Sequence, residues 1–225
     1  MSALRNPFAI KDDKLVLIED LTPDEKGLSC RCVCPACGDD FIARMGDIRI
    51  KHFAHSTKGC DEVQAYITSL YRLLKEIIDT GISIYIPPVI VEYNSFYGSI
   101  PLTLETIEEK VRLISCPNSS DRQIIVRTGK NVIFESAEYA HNKQGRILAL
   151  LLEKNGKQLA LKVTPPDTVC KTDSKVSKYK ELPTLEMGFR DDEERIRTSS
   201  RVELEEYISS HNFPSSWIFN PIMSE

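Results

Sequence analysis

Residues 34 to 60 read CPACGDDFIARMGDIRIKHFAHSTKGC. Cys34-Pro-Ala-Cys37 is a Cys-x-x-Cys knuckle, in which one tight turn presents two thiolates to a single tetrahedral ion at about 2.3 Å. Gly38 follows where the backbone must bend around a metal. His52-Phe-Ala-His55 and then Cys60 bring the candidates to five for four positions. The set Cys34, Cys37, His55 and Cys60 pins a hairpin to the start of the next helix, whose N-terminal dipole favours a thiolate. His52 is then a supporting donor or a core residue. The set Cys34, Cys37, His52 and His55 makes two symmetrical knuckles instead. Both sets are closed and soft, which favours a structural Zn2+ over a catalytic one.

The remaining cysteines do not extend this group. Cys30 and Cys32 alternate on a stretch that reads as strand and are assigned to packing, while Cys116 and Cys170 are isolated. An odd total of seven, clustered towards the N-terminus of a chain with no export signal, argues for metal rather than disulfides. Asp12, Asp13, Glu19 and Asp20 stand where a signal peptide would be apolar, and the longest apolar runs, such as Ile147 to Leu152, fall far short of the about 18 residues of a membrane helix. The expected location is the cytoplasm, with no membrane partner. With 225 residues, 41% hydrophobic and 28% charged, the chain buries a core and is neither low-complexity nor disordered. A net charge of −4 gives no global basic field for nucleic acid, although a local patch can still hold DNA.

Working outward, Lys14 to Ile18, Leu28 to Val33 and Asp47 to Phe53 read as strands around the Cys-rich turn, a zinc-binding β element over residues 1–60. Asp61 to Asp79 carries apolar residues at Val63, Tyr66, Ile67, Leu70, Leu73, Leu74, Ile77 and Ile78, the i, i+3, i+4, i+7 spacing of a helix with one buried face, and Gly81 ends it. From Ile82 the period shortens: Ile82 to Val91, Gln123 to Val126, Asn131 to Phe134, Ile147 to Leu152 and Gln158 to Val163 read as strands. Asn155-Gly156 between the last two is a hairpin signal. Asp173 to Glu181 reads as a helix, Pro183 to Met187 as a strand and Arg201 to His211 as a last helix, so residues 61–225 form an α/β core, with α+β as the variant.

Cys34-Pro-Ala-Cys37, Ile42-Ala-Arg-Met-Gly46, Arg49, His52-Phe-Ala-His55, Cys60 and the helix ending Leu70-Tyr-Arg-Leu-Leu-Lys-Glu-Ile-Ile78 together resemble the N-terminal half of the CoiA-like competence proteins. The resemblance continues more faintly through Arg146 to Val163, Pro183-Thr-Leu-Glu-Met187 and Trp217-Ile-Phe-Asn-Pro221. It implies a zinc element joined to a restriction-endonuclease-like PD-(D/E)xK core on a mixed sheet, associated with DNA processing. Such a site holds Mg2+ or Mn2+ between two carboxylates on adjacent strands, with a lysine steadying the attacking water. Here the family's metal-binding Asp falls on Ala149, its strand Glu on Lys162 and the basic partner on Thr164. In the helix, its acidic and His positions become Ile67 and Tyr71, while Lys75 survives. The resemblance therefore implies a degenerate nuclease core with no catalytic residues, kept as a scaffold that binds nucleic acid or a protein partner in DNA processing or defence.

The alternative is a metal-dependent DNA nuclease with displaced carboxylates, drawing on Glu135, Glu138 and Glu153 with Lys162. Strand-end glutamates are more often solvated turn residues, as is a lone loop histidine such as His141. Glu186 lies in a strand, and Asp191-Asp-Glu-Glu194 reads as a solvated charge run before a helix. Arg44, Arg49, Lys51, Lys58 and Lys75 gather around the zinc unit, and Lys171, Lys175, Lys178 and Lys180 around the penultimate helix. Acidic neighbours such as Glu62 and Glu181 interleave with them.

Overall fold

Helix α1 covers Glu62–Asp79 in the computed structural model, which describes residues 5–46, 48, 50–94, 112–114, 121–167, 169 and 179–219. For 90–94, 112–114 and 121–127 it is the backbone pairing that is described. Asp61 caps α1, its carboxylate accepting from the Val63 N–H at 3.0 Å. Gly81, at φ +79°, returns its N–H to the Ile78 carbonyl at 2.9 Å and stops it. The predicted stripe is the buried one, with Tyr66, Leu70, Leu73, Leu74, Ile77 and Ile78 all in the main core.

In chain order the strands are β1 Phe8–Lys11, β2 Lys14–Leu17, β3 Phe41–Arg44, β4 His52–His55, β5 Ile84–Ile86, β6 Val89–Asn94, β7 Arg112–Ile114, β8 Asp121–Arg127, β9 Lys130–Val132, β10 Ser136–His141, β11 Ile147–Lys154, β12 Lys157–Thr164, β13 Thr184–Gly188 and β14 Ser215–Phe219. Helices α2 Glu193–Thr198 and α3 Arg201–Ser209 lie between the last two strands. The result is a mixed α/β structure in which strands dominate. Its centre is a five-stranded mixed sheet, β10-β11-β12-β13-β14, antiparallel except where β13 runs parallel to β12. Asn155 and Gly156, at φ +51° and +70°, make the predicted turn between β11 and β12. One face of the sheet, with Ala137, Leu150, Leu152, Leu161, Val163 and Met187, joins the core under α1, which continues into Ile196, Leu204, Ile208 and Phe213. The other face carries Ala149, Ala160, Lys162, Thr164 and Glu186.

A second, smaller core holds Cys30, Cys32, Cys34, Phe41, Ala43 and Phe53, and Ala65 of α1 reaches into it. The β1–β2 hairpin serves both cores by strand alternation: Phe8, Ile10, Leu15 and Leu17 meet α1, whereas Ala9 turns to the cysteines. Cys30 and Cys32 are thus packing residues.

Several expected elements change. Leu28 to Val33 is not a strand: Leu28–Cys30 is a 3-10 turn, and Arg31 at φ +53° bends the chain away from extension. The knuckle lies ahead of the hairpin that pairs β3 with β4, and β4 begins at His52 rather than at residue 47. Pro87-Pro88 splits the single strand read over Ile82 to Val91 into β5 and β6. Residues 136–141 form a strand, so Glu138 is mid-strand and His141 ends β10 rather than lying in a loop. Asp192 is 8% exposed and accepts from the Tyr207 hydroxyl at 3.0 Å, so the acidic run is only partly solvated. The helix expected over Asp173 to Glu181, and the legs of the second lysine group at 171, 175 and 178, fall mostly outside the described residues.

Arg201 ties three elements together. Its guanidinium donates to the Leu15 carbonyl at 2.9 Å, to Glu76 of α1 at 2.7 Å and to Glu205 at 2.5 Å, with the side chain 18% exposed. Arg201→Ala strands the Leu15 carbonyl and two carboxylates, and a loss of about 2 kcal/mol is expected once partial solvent screening is allowed for. Urea unfolding at an unchanged m-value measures it.

Candidate metal centre

Three pieces of chain converge on one point: the knuckle before β3, the last residue of β4 and the residue that precedes the α1 cap. Cys34 Sγ lies 3.7 Å from Cys60 Sγ. Cys37 Sγ is 3.5 Å from His55 Nε2, and Cys60 Sγ is 3.9 Å from the same nitrogen. The four ligand atoms all fall within 4.8 Å of one another. A tetrahedral zinc with bonds of about 2.3 Å to sulfur and about 2.05 Å to nitrogen requires S···S edges of about 3.8 Å and S···N edges of about 3.5 Å. The 3.7 Å S···S and 3.5 Å S···N separations match those edges and the 3.9 Å one is slightly longer, so the residues fit zinc.

The knuckle is built by its own backbone. Gly38, at φ +78°, returns its N–H to the Cys34 carbonyl at 2.9 Å, and the Ala36 N–H donates to Cys34 Sγ at 3.4 Å. Phe41 sets the His55 ring edge-on, with centroids 4.7 Å apart. Without metal, burial pushes the Cys34 thiol up, its backbone donors opposing this in part. Burial, reinforced by the neighbouring thiols, takes Cys60 up to about 12. An incoming dication therefore displaces protons as it binds.

Strand geometry separates the two histidines. Positions three apart on a strand face opposite ways, so His55 turns inward with Phe53 while His52 turns outward beside Arg44, its partner in register. His52 Nδ1 lies 2.9 Å from the Ile50 carbonyl. The structure brings together Cys34, Cys37, His55 and Cys60, and not His52. Gly59 belongs to the site too, although nothing in its spacing announces it. A Cβ there would collide with the His55 imidazole, so Gly59→Ala is expected to displace the ring and reduce zinc retention, as read by competition with a chromogenic chelator.

The positions implied for a nuclease centre also lie together. Leu150 pairs with Leu161 at the end of the β11–β12 ladder, which places Ala149 opposite Lys162 on the next rung. There the Tyr71 hydroxyl donates to the Leu148 carbonyl at 3.1 Å and accepts from the Val163 N–H at 3.3 Å. These two groups face one another across the strands, and the phenol stands between them. Burial pushes that phenol up to about 12, so it stays neutral and able to donate. Lys162 is in register with Glu186 on β13, and burial lowers its ammonium from the usual lysine value. Thr164 donates its hydroxyl to Glu186, and Arg190 lies 3.6 Å from the same carboxylate.

The displaced carboxylates stand elsewhere. Glu135 accepts from the Asn155 N–H at 3.1 Å in the hairpin turn. Glu153 pairs with Gln158, four residues and thus about 13 Å along β12 from Lys162. Glu138 is opposite Leu151, between those rows. Among the described residues, the Cys34, Cys37, His55 and Cys60 cluster is the one group of three or more such ligands that converges. Lys51 pairs with Glu19 at 2.8 Å and Lys75 with Asp79 at 2.7 Å; Arg49 lies outside the described residues. No helix among the described residues is long and apolar enough to cross a membrane.

The family model for the N-terminal domain of the competence protein CoiA matches residues 23–62. That stretch contains the knuckle, the β3–β4 hairpin, His55 and Cys60, and it ends as α1 begins. No curated protein and no solved structure matches the chain.

Proposed function

We propose that this is a zinc-containing CoiA-like protein whose sheet is a restriction-endonuclease-like core with a degenerate centre, working as a scaffold that binds nucleic acid or a protein partner in DNA processing or defence. One observation carries the reading: the junction where β11 and β12 part holds Ala149, Lys162 and the Tyr71 phenol. A methyl group offers no oxygen to Mg2+, an ammonium repels it, and the phenol spends both its hydrogen bonds on the separated strands. Thr164, where a basic partner would steady water, is bound to Glu186. A mixed sheet with α1 on one face supports the nuclease-like fold. A reducing cytoplasm suits a site that needs free thiols.

The test is cleavage of labelled single-stranded and branched DNA with Mg2+ or Mn2+, beside a Mn2+ titration of the zinc-loaded protein. Retained binding without cutting, and no second metal equivalent, is the expected result. Cutting that disappears in Glu135→Gln, Glu138→Gln or Glu153→Gln would establish the nuclease with displaced carboxylates instead.

A further inference from the structure

The outward face of the β3–β4 hairpin has no part in holding zinc. Arg44 and His52 stand on it side by side, and the chain from Thr57 to Glu62 folds over its edge to enclose a cleft of about 370 Å³. Lys58 lines the same cleft, and Glu62 is its one carboxylate. Arg44 and Lys58 are exposed, and neither has an ion-pair partner among the described residues. The nearby Lys51 and Lys75, in contrast, are paired off against carboxylates. At Cys60 the cleft meets a second of about 260 Å³, bounded by Gln64 of α1 and by Arg146 in the β10–β11 turn. Cys60 thus lines both depressions and His55 the larger one; exposed Arg44 and Lys58 stand at the rim of the larger, and exposed Arg146 beside Asp61 at that of the smaller.

We infer that this groove across the zinc clasp binds a single strand of nucleic acid, with Arg44, Lys58 and Arg146 on successive phosphates and the His52 imidazole as a face for a base. The inference rests on the proposed binding role and assigns it a place. The volume is too small to enclose a duplex: a cleft at the low end of the about 300–1,000 Å³ typical of small-ligand sites admits one nucleotide unit at a time. The half-buried imidazole supplies the flat surface on which bases stack. Glu62 separates a strand from an acidic peptide. Its carboxylate repels phosphates and acidic side chains alike, but it also accepts hydrogen bonds from the exocyclic amino group of a cytosine, a donor that acidic side chains lack. A zinc held by these residues would fix both rims in place, because Cys34 and Cys37 would anchor the knuckle, His55 the hairpin and Cys60 the start of α1.

Fluorescence anisotropy with a labelled oligodeoxycytidylate of about 20 nucleotides, on the full-length zinc-loaded chain at low salt, tests this. Arg44→Glu with Lys58→Glu is expected to weaken binding by about tenfold or more, while Lys157→Glu, the same kind of charge change at the far turn of the β11–β12 hairpin, changes it less than about twofold. Zinc content is measured in each protein. Should the double variant lose zinc, Arg44→Gln serves instead, and its slope of log K against log salt should fall by about 0.7. Wild-type binding that the rim variants leave at the Lys157→Glu level would overturn the groove and leave a nucleic-acid role standing. Displacement of the oligonucleotide by polyglutamate of equal charge would overturn the choice of a strand over an acidic peptide. No oligonucleotide binding at all would remove both the groove and the nucleic-acid arm of the proposed function.

Discussion

Cys60→Ser removes a ligand of the proposed zinc site and is expected to abolish zinc binding and unfold the segment from about residue 23 to residue 60 while the α1 and sheet core stays folded. The smaller core contains Phe41 and Phe53, with Ile18 and Leu21 from outside the segment, and otherwise short residues such as Ala43 and three cysteines, too little apolar surface to hold a loop-rich element alone. Structural zinc contributes an apparent binding free energy of about 10–16 kcal/mol in zinc-finger peptides near neutral pH, which outweighs anything those side chains supply. The main core has its own closed set of contacts from α1, β11, β12 and β13. Chelation should therefore abolish amide protection in β3 and β4 and leave that of α1 nearly intact, by hydrogen exchange with mass spectrometry. Acid should do the same. A thiol near 12 in the metal-free state is protonated throughout the neutral range, so each proton that zinc displaces makes affinity fall about tenfold per unit drop in pH. Unchanged protection in fully metal-free protein would show that the element folds without its ion.

The two halves of the molecule were not equally legible. The candidate metal ligands are readable because coordination demands residue types at short spacings, and α1 because a period of 3.6 over eighteen residues is hard to mistake. His52 stayed in contention because the outcome depends on whether His52 to His55 is strand or turn: only in a strand do the two rings part. Gly59 was invisible, since the constraint on it comes from the His55 ring, which approaches through the fold. Glu138 stays exposed, and only its place mid-strand depends on the pairing of β10 with β11. The burial of Asp192 depends on Tyr207, a neighbour distant in sequence. Pro87-Pro88 was a local signal for splitting the strand from Ile82, overridden by the β-branched residues on either side. The β10 strand was missed because Ser136 to His141 has a weak apolar alternation that becomes decisive only when Ala137 and Tyr139 are laid against α1.

Tyr71 is where fold and function meet, and removing its ring is expected to cost about 4 kcal/mol, most of it from the cavity left between α1 and the sheet. The hydroxyl can be weighed separately. Tyr71→Phe keeps the packing but leaves the Leu148 carbonyl and the Val163 N–H facing a gap, each having had the phenol as partner. Val163 is 8% exposed, so water does not readily replace the lost bonds, and a cost of about 1–3 kcal/mol follows. An alternative relaxation is open to the chain: β11 and β12 could close and bond to each other directly, extending the ladder past Leu150 and Leu161. Urea unfolding distinguishes the two, because closure would bring Tyr71→Phe to within about 0.5 kcal/mol of the parent at the same m-value. It would also slow amide exchange at Val163. The distinction bears on the proposed role, since the strands part beside Ala149 and Lys162, where a nuclease would need room for a metal. A gap held open by a neutral phenol that already uses its donor and an acceptor is space that the protein fills with its own side chain, and a Tyr71→Phe variant that closes the ladder would show that the opening is maintained by that one hydroxyl.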